Sequence, residues 1–417
     1  MTTPAEEVHT EAAAWFAANW SADLTVREWW RLLADAGWAF PSWPEGFGGR
    51  ALGKEAARAA VRARHEAGAF GPPNGVATFL VAPTLMHYGT AEQQSRHLPG
   101  IVDGTAPWCQ LFSEPGAGSD MAGLATRAQR DGDEWVVNGQ KVWSSGAQNA
   151  AWGILIARTD PDQPKHRGIT YFLIDMHQPG VEVRPLREMT GDAAFNEVFF
   201  TDARVAEADR LGELGEGWRV AMTTLSHERD PDNAGLGDTP PFAAVDLDQR
   251  VGDHAATVMH TADGFSLAMM GQAGPLFDRV VNEHADTTDP VFRQELMKLV
   301  STRRTTQLSA RRAAASVKAG GQPGPEVSTL KLQGSSLNRA MREVGLGALG
   351  AAGMLEHDDA PIDGLFHRYA LFTPASSIAG GSDEVQHNII GERVLGLPRE
   401  PGEAEQRELP WSELPRS

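Results

Sequence analysis

The sequence predicts an α+β protein in which a helical region, a β region and a second helical region follow one another. Up to about residue 107 the apolar spacing is helical, and from Cys109 short apolar runs are separated by Gly, Pro and Asp. Helical spacing returns after about Leu211. We expect domains at 1–108, 109–210 and 211–398, with a tail at 399–417. No Gly-x-Gly-x-x-Gly follows a predicted strand, so the sequence does not indicate a Rossmann domain.

The composition excludes several classes of function. Apolar residues make up 41% and charged residues 22% of the 417 positions, as in a globular protein. A formal net charge of −18 argues against a nucleic-acid or anionic-membrane partner. The single cysteine, Cys109, excludes an intrachain disulfide, and we expect no metal site. We find no secretory leader and no apolar run of membrane-spanning length, and we therefore expect a cytoplasmic protein.

The first region contains two capping boxes, in which a hydroxyl and a side chain three residues later satisfy the first amides of a helix. Thr25 and Glu28 predict a helix that ends at Gly37. The second box begins at Thr90 and predicts a short helix that stops before Pro99. Three tryptophans in this region could form an aromatic binding face, but core packing is favoured because tryptophan usually buries its large surface. They are Trp29, Trp30 and Trp38.

The second region predicts short antiparallel strands. Asp131-Gly132 and Asn138-Gly139 are dipeptides that favour tight hairpins. Further strands are predicted at 153–157, 169–174, 181–183 and 197–200. Strands this short and frequent indicate a compact antiparallel barrel or sandwich.

The third region predicts long helices separated by short breaks, which is the pattern of a helical bundle. The predicted segments are 217–229, a long region at 248–285, 290–319, 326–355 and 383–395.

The stretch from Phe112 to Gly123 is the first candidate for a ligand site. It combines two carboxylates and three glycines with short hydroxyls, directly before strand-like sequence. Glycine allows the backbone to approach a large flat ligand closely, and hydroxyls provide hydrogen bonds without bulk. The composition alone favours an ordinary turn-rich loop.

The order of motifs favours the ligand interpretation, because three of them resemble signatures of the acyl-CoA dehydrogenase family, in particular its actinobacterial flavoprotein subunits. They are Ser113-Glu-Pro-x-x-Gly-Ser119-Asp, Trp143-Ser-Ser-Gly and Gly380-Gly-Ser-Asp-Glu-Val-Gln386 followed by Glu392-Arg-Val-Leu-Gly-Leu-Pro398. The resemblance implies an N-terminal helical domain, a middle β-barrel domain and a C-terminal four-helix bundle. It also implies FAD held between the last two.

The resemblance carries roles to individual residues. Ser113 matches a flavin-ring contact, Trp143 the aromatic residue packed on the isoalloxazine, and Ser145 the hydroxyl near flavin N5. Ser119 matches the serine near the CoA moiety. The other implied cofactor-binding residues are Gln110, Phe112, Gly381, Ser382 and Glu384.

The implied chemistry needs a carboxylate base that removes the α proton of a thioester in a dry site. Many family members carry this glutamate at the position of Gly380, where the backbone N–H can still stabilise the enolate oxygen. Leu225-Ser-His-Glu228-Arg229 resembles the second family location for the base. We therefore expect Glu228 to be the base and Arg229 to hold local geometry and charge. A helix-end ion pair is the alternative interpretation.

Two family features are missing. We find no Arg-x-x-Phe-Gly segment, whose arginine reaches FAD in a neighbouring subunit, and Gly347-Ala-Leu-Gly350 lacks the usual glutamine. Such departures resemble subunits that pair as α2β2 heterotetramers on steroid side-chain thioesters.

The sequence thus predicts an FAD-dependent acyl-CoA dehydrogenase of fatty acid and lipid metabolism. Its substrate would be an acyl-CoA or an acyl-carrier thioester, and electron-transfer flavoprotein would reoxidise the flavin. We expect a homodimer or tetramer, or else a heterotetramer. The alternatives are a non-catalytic or half-site structural subunit of such a heteromer and an acyl-CoA oxidase.

Overall fold

The computed structural model describes residues 3–228, 245–254, 273–318, 324, 327–356 and 359–414. Arg229, the predicted loop at 230–241 and residues 255–272 of the predicted helical region at 248–285 lie outside these residues. The chain divides into two compact units. Unit 1 comprises Met1–Glu188, Ala193–Thr261 and Glu405–Ser417, and unit 2 comprises Met189–Asp192 and Ala262–Ala404.

Unit 1 begins with the predicted helices. They are α1 (Pro4–Asn19), α2 (Val26–Asp35), α3 (Lys54–Glu66), a π-helical turn (Ala77–Val81), α4 (Ala82–Tyr88) and α5 (Ala91–Val102). Both predicted capping boxes are confirmed, with Thr25 capping α2 and Thr90 capping α5. The three tryptophans are core residues, as predicted. The indole N–H groups of Trp29 and Trp30 donate to backbone carbonyls at 2.7 and 2.8 Å, so these two side chains are buried with their polar atoms satisfied.

The prediction that α5 stops before Pro99 is wrong, because the helix continues through this proline to Val102. A proline inside a helix loses one backbone hydrogen bond and strains the preceding turn. The residues around it are buried on the core side of α5, including Leu98 and Ile101. Tertiary packing of this face therefore outweighs the local penalty.

The middle of unit 1 is one eight-stranded, largely antiparallel sheet. The strands are β1 (Trp108–Leu111), β2 (Arg127–Asp131), β3 (Glu134–Lys141), β4 (Trp152–Arg158), β5 (Ile169–Asp175), β6 (Val181–Leu186), β7 (Phe195–Ala206) and β8 (Arg210–Leu211). Their order is β6-β7-β3-β2-β4-β5-β8, and β1 pairs in parallel with β4. The predicted strands therefore exist, with β7 much longer than expected.

The prediction of a closed β-barrel is wrong, because the sheet is open. Within the described residues, β6 pairs only with β7 at one edge and β8 pairs only with β5 at the other. The edge strand β6 contains Pro185, which has no N–H to donate, and the charged residues Glu182 and Arg184. At the opposite edge β8 is two residues long. A closed barrel would require hydrogen bonds between the backbones of the two edge strands, and the described strands β6 and β8 do not pair.

Of the two predicted hairpin dipeptides, only one forms a hairpin. Asp131-Gly132 connects β2 to β3, with Gly132 at φ +65°. Asn138-Gly139 instead lies inside β3 at a shift in the pairing with β7. A Cβ on Gly139 would lie 2.7 Å from the Cα of Thr126, so this glycine permits the close approach of a neighbouring backbone.

Both faces of the central strands β4 and β5 are buried. Ile154 and Ile156 face the core shared with the N-terminal helices, and Leu155 and Ala157 face a second core on the other side of the sheet. The helix α6 (Gly217–Glu228) packs on the first of these faces through Val220. The predicted helix is thus confirmed over 217–228 and belongs to unit 1.

Unit 2 is helical, as predicted for the third region. Its helices are α7 (Ala273–His284), α8 (Pro290–Lys318), α9 (Ser328–Leu349), α10 (Leu365–Phe372) and α11 (Asp383–Ile389), followed by a π-helical turn (Ile390–Val394). Their common core includes Phe277, Met341 and Phe366. A short helix, α12 (Glu403–Glu408), follows. Within the described ranges, no helix combines the length and the apolar character needed to cross a bilayer.

The contact between α9 and α10 gives a first prediction. A Cβ on Gly345 would lie 2.1 Å from the Phe366 ring, whereas a Cβ on Gly347 would have no neighbour within 4 Å. We expect Gly345→Ala to destabilise the protein by about 1–3 kcal/mol through overpacking. Gly347→Ala is the matched control and should stabilise it by up to about 1 kcal/mol, because alanine is the better helix former. Urea unfolding followed by circular dichroism measures both, and a stabilising Gly345→Ala would contradict the packing.

Candidate functional site

The Phe112–Gly123 loop is held by a buried ion pair. The Lys141 ammonium on β3 is fully buried and lies 2.8 Å from the Glu114 carboxylate. The same ammonium donates to the Phe112 carbonyl at 2.9 Å. The backbone N–H groups of Ala125 and Thr126 donate to the carboxylate at 2.7 and 2.9 Å. One carboxylate thus joins the start of the loop, its end and the neighbouring strand.

The charge state of Glu114 follows from these contacts. Burial by itself raises the pKa of a carboxyl group. The Lys141 ammonium and the hydrogen bonds from Ala125 and Thr126 more than offset this effect, and the pKa of Glu114 lies below its usual value. Glu114 is therefore an anion at neutral pH and a weaker base than an ordinary carboxylate.

Trp143 lies at the end of β3 in an unusual backbone conformation. Its φ is +61°, the left-handed region, which costs a bulky residue about 1–3 kcal/mol. The side chain is 57% exposed and meets the ring of Phe195 edge to face at 5.6 Å. Ser144 beside it is buried, and its backbone N–H donates to the Asn196 carbonyl at 3.1 Å. The Asn196 side-chain amide donates in return to the Ser144 carbonyl at 3.0 Å. The fold therefore holds an aromatic surface open to solvent at a strained position.

Two hydroxyls accompany this surface. Ser113 and Ser145 are both half-buried, and neither side chain makes a hydrogen bond to another described residue. The backbone N–H of Val142 donates to the Ser113 carbonyl at 2.9 Å and joins the two segments. An exposed indole together with hydroxyls on the segments beside it suits a flat ligand with a polar edge. Gln110 and Phe112 come from β1 and its end, next to Ser113.

Ser119 lies on the outer part of the same loop and is exposed. Its neighbour Asp120 forms a two-oxygen ion pair with Lys165, with both distances 2.8 Å. This carboxylate, like that of Glu114, is a packing partner of the loop.

Helix α6 is anchored by hydroxyl groups in the core. Thr224 receives a hydrogen bond from Thr84 at 3.0 Å and lies 3.2 Å from the Tyr171 hydroxyl. Burial raises the pKa of Tyr171, so this hydroxyl stays neutral. The Tyr171 ring also contacts the ring of Phe112 at a centroid distance of 5.8 Å. The backbone of Glu228 ends α6, one helical turn beyond Thr224.

In unit 2 the predicted Gly380–Glu384 segment forms a glycine turn that leads into α11. Gly380 and Gly381 have φ values of +65° and +88°, and the Ser382 hydroxyl caps the helix by accepting from the Val385 N–H at 3.3 Å. A Cβ on Gly380 would have no neighbour within 4 Å. Glu384 is exposed on the first turn of α11. This turn therefore presents exposed backbone at the predicted position.

Asp383, which follows the glycine turn, attaches it to helix α9. Its carboxylate lies 2.9 Å from the Lys331 ammonium and 2.8 Å from the Arg339 guanidinium, both on α9. Desolvation alone raises the pKa of this carboxyl group, but the hydrogen bonds from Arg339 and Lys331 dominate and hold it well below the usual range. Asp383 is therefore an anion that ties the turn to the bundle.

Cys109 has no part in this arrangement. It is fully buried on β1, and burial raises the pKa of its thiol. The side chain is a core residue of the sheet.

Sequence analysis missed Lys141, Thr84 and Tyr171 as supports of the site. Lys141 carried a usable signal, because it occupies an inward-facing position of a predicted strand, where a lysine needs a buried partner. The partner of Thr84 is 140 residues away, and no local pattern identifies such a pair.

Comparison with known proteins identifies relatives over the whole length. Models of the N-terminal, middle and C-terminal domains of acyl-CoA dehydrogenases match residues 3–105, 109–203 and 268–395. The acyl-CoA dehydrogenase IpdE1 of Mycobacterium tuberculosis is 36% identical over 95% of this chain and 98% of its own length. The acyl-CoA dehydrogenase FadE34 of the same organism is 38% identical over 88% of this chain and 46% of its own length.

Two solved structures are similar throughout. The Tcur3481-Tcur3483 steroid ACAD has a TM-score of 0.69 at 27% identity, covering 96% of this chain and 99% of that one. The ChsE4-ChsE5 complex of Mycobacterium tuberculosis has a TM-score of 0.67 at 28% identity, with the same coverage. Both extend over the two units described above.

The Glu114–Lys141 pair gives a prediction with a defined pH dependence. Glu114→Gln leaves the buried ammonium without its counter-charge and should cost about 3–5 kcal/mol at pH 7. The folded-state pKa of Glu114 is below the unfolded value of 4.5, so its stabilising contribution is complete above that pH and is lost as the pH falls through the folded-state pKa. Urea midpoints of wild type and variant should therefore converge as the medium becomes more acidic.

Glu182→Gln is the control for this measurement. Glu182 also lies 2.8 Å from an arginine, Arg184, but the pair is exposed at the edge of the sheet. Its loss should leave the urea midpoint nearly unchanged at every pH. Equal effects of the two substitutions would show that burial does not decide the strength of the pair.

Proposed function

This chain belongs to the acyl-CoA dehydrogenase family, and from this premise we propose that it oxidises an acyl-CoA thioester between the α and β carbons with FAD as cofactor. Members of the family are oxidoreductases and, as a rule, flavoproteins. The observation that carries the FAD proposal is the exposed, strained Trp143. Ser113 and Ser145 are near it in the chain or through the Val142–Ser113 hydrogen bond, and within the described residues their hydroxyls make no hydrogen bond. A strained aromatic residue that is left open to solvent indicates a ligand that covers it.

We assign the cofactor to the residues that the motifs identify. When bound, FAD would supply the acceptor for the hydride that leaves the β carbon. Trp143 would pack on the flavin ring system, and the Ser113 and Ser145 hydroxyls would bond its polar edge. The remaining contacts are assigned to Gln110, Phe112, Gly381, Ser382 and Glu384.

The proton chemistry is assigned to α6. Glu228 would remove the α proton of the thioester, which requires a carboxylate that is kept basic by a dry environment. The Thr84–Thr224–Tyr171 hydrogen bonds support this proposal, because they fix the helix one turn before Glu228. Arg229 would set the local charge.

The developing enolate also needs a hydrogen-bond donor for its oxygen. We assign this donor to the backbone N–H of Gly380, since the exposed glycine turn offers main chain without a side chain. Ser119 would contact the CoA arm from the outer part of the Phe112–Gly123 loop.

The purified chain should therefore be yellow and should bleach anaerobically with at least one of a panel of short, long, branched and steroid acyl-CoAs. Glu228→Gln should retain the flavin spectrum and bleach at least 100-fold more slowly, because general-base catalysis is worth about 10²–10⁴-fold. Stopped-flow absorbance measures both rates. Glu213→Gln, an exposed carboxylate before α6, is the control and should bleach at the wild-type rate.

The results separate the proposals. A colourless protein that takes up no FAD would overturn the stand-alone enzyme. A Glu228→Gln variant that bleaches at the wild-type rate would remove Glu228 as the base. We propose electron-transfer flavoprotein as the oxidant of the reduced enzyme. Stoichiometric release of hydrogen peroxide in air would instead indicate an oxidase.

A half-site subunit of a heteromer is the second candidate function. The missing Arg-x-x-Phe-Gly segment and the missing glutamine near Gly347 favour it. The ChsE4-ChsE5 structure, to which this chain is similar, is a complex of two different chains. In this case the chain would take up FAD or substrate only with a partner of the same family.

We also propose that the chain forms an oligomer and that α8 is its contact surface. Met297, Val300 and Leu308 are exposed, and at 100° per residue they lie within about 80° of one another on the helix. The exposed Arg304 lies on the same face, so the surface combines three apolar side chains with a cation. Exposed apolar side chains rimmed by polar groups favour a protein contact. We propose that a second copy of this chain covers it.

The native mass tests the proposed contact. Wild type should have two or four times the chain mass of 44.9 kDa, and Met297→Glu with Leu308→Glu should shift it to 44.9 kDa. Lys298→Glu, 100° around α8 from Met297, should leave the assembly intact. Native mass spectrometry distinguishes the species. A wild-type monomer would overturn the homo-oligomer and leave the partner-chain assembly.

A further inference from the structure

The C-terminal segment 410–414 returns to the sheet of unit 1 and lies along the loop between β4 and β5. The backbone N–H of Trp411 donates to the Gln163 carbonyl at 2.9 Å, and the backbone N–H of Ser412 donates to the Pro161 carbonyl at 2.9 Å. A further bridge pairs Pro164 with Pro410. Sequence analysis treated 399–417 as a tail, and its last described residues are paired with this loop.

Trp411 extends this contact to the Phe112–Gly123 loop. Its indole N–H donates to the Gly123 carbonyl at 3.3 Å. The Arg158 guanidinium carbon lies over the Trp411 ring, 4.7 Å from its centroid. A guanidinium on a tryptophan face is a favourable cation–π contact, and it is stronger when water is excluded.

Arg158 holds the same loop from inside. It is buried at the end of β4, and one of its amino groups donates to the Ala122 and Leu124 carbonyls at 2.6 and 3.3 Å. The other amino group donates to the Lys165 carbonyl at 2.8 Å. Burial lowers the pKa of Arg158 to about 10, which leaves the group charged at neutral pH. The residues after Ser119 therefore depend on a buried cation that Trp411 covers.

Lys165 makes a further contact with the residues after Ser119, because its ammonium forms an ion pair with the Asp120 carboxylate. Residues 120–124 are thus fixed by Lys165, Arg158 and Trp411, while Ser119 immediately before them is exposed. We propose that Trp411 is a positioning residue that sets the geometry of the Ser119 turn and, through it, the affinity for the CoA arm of the substrate. This inference rests on the proposed function of Ser119.

Trp411→Ala in the full chain removes both the N–H donor and the ring over Arg158. We expect the amides of residues 120–124 to exchange hydrogen about tenfold faster, as a weak hydrogen bond and a cation–π contact are lost together. The dissociation constant of an acyl-CoA from the bleaching panel, measured by equilibrium dialysis, should rise about fivefold to tenfold. The anaerobic bleaching rate at saturating substrate should stay within about twofold.

Two variants make the result specific. Trp411→Phe keeps a ring over Arg158 but loses the N–H, and it should recover part of the affinity. Leu409→Ala removes an apolar side chain two residues earlier and should match wild type in exchange and in affinity.

Each outcome is decisive. Unchanged exchange at 120–124 or unchanged acyl-CoA affinity in Trp411→Ala would overturn the inference. Loss of bound FAD together with the bleaching rate would also overturn it, because Trp411 would then be a general structural residue. Wild type that neither binds nor oxidises any acyl-CoA would overturn the proposed function itself, and the inference with it.

Discussion

The Glu114–Lys141 pair is the interaction on which unit 1 depends. A fully buried ammonium is costly unless a carboxylate and further hydrogen bonds compensate it, and here a carboxylate and a carbonyl do so. The same carboxylate accepts hydrogen bonds from two backbone N–H groups directly before β2. The Phe112–Gly123 loop is therefore fixed at both ends by one anion, although its glycines would otherwise leave it free.

This rigidity explains how strain at Trp143 is maintained. A bulky side chain remains in the left-handed region only if its surroundings determine the backbone. Lys141 fixes the preceding strand, and Ser144 is locked to Asn196 immediately afterwards. The indole is thus presented without movement of the main chain. A preorganised aromatic surface lowers the entropy lost when a flat cofactor binds.

The same principle recurs in unit 2. Asp383 is held by two cations, and the glycine turn before it needs positive φ at two consecutive positions. Both glycine-rich segments, the Phe112–Gly123 loop and the Gly380–Gly381 turn, are thus held by a carboxylate that is paired with cations. Functional loops gain precision when the scaffold below them is rigid.

The sequence by itself determined the α+β class, the order of the three regions and the capped helices, because capping and apolar periodicity are local properties. It also assigned the family, since Ser113, Trp143 and Gly380 stand in ordered motifs. Only the tertiary structure decided that the sheet is open, that α5 passes through Pro99 and that Asn138-Gly139 forms a bulge. It also brought Trp411 beside Arg158, 253 residues earlier in the chain. These features depend on contacts between distant segments, whose energies no local pattern contains.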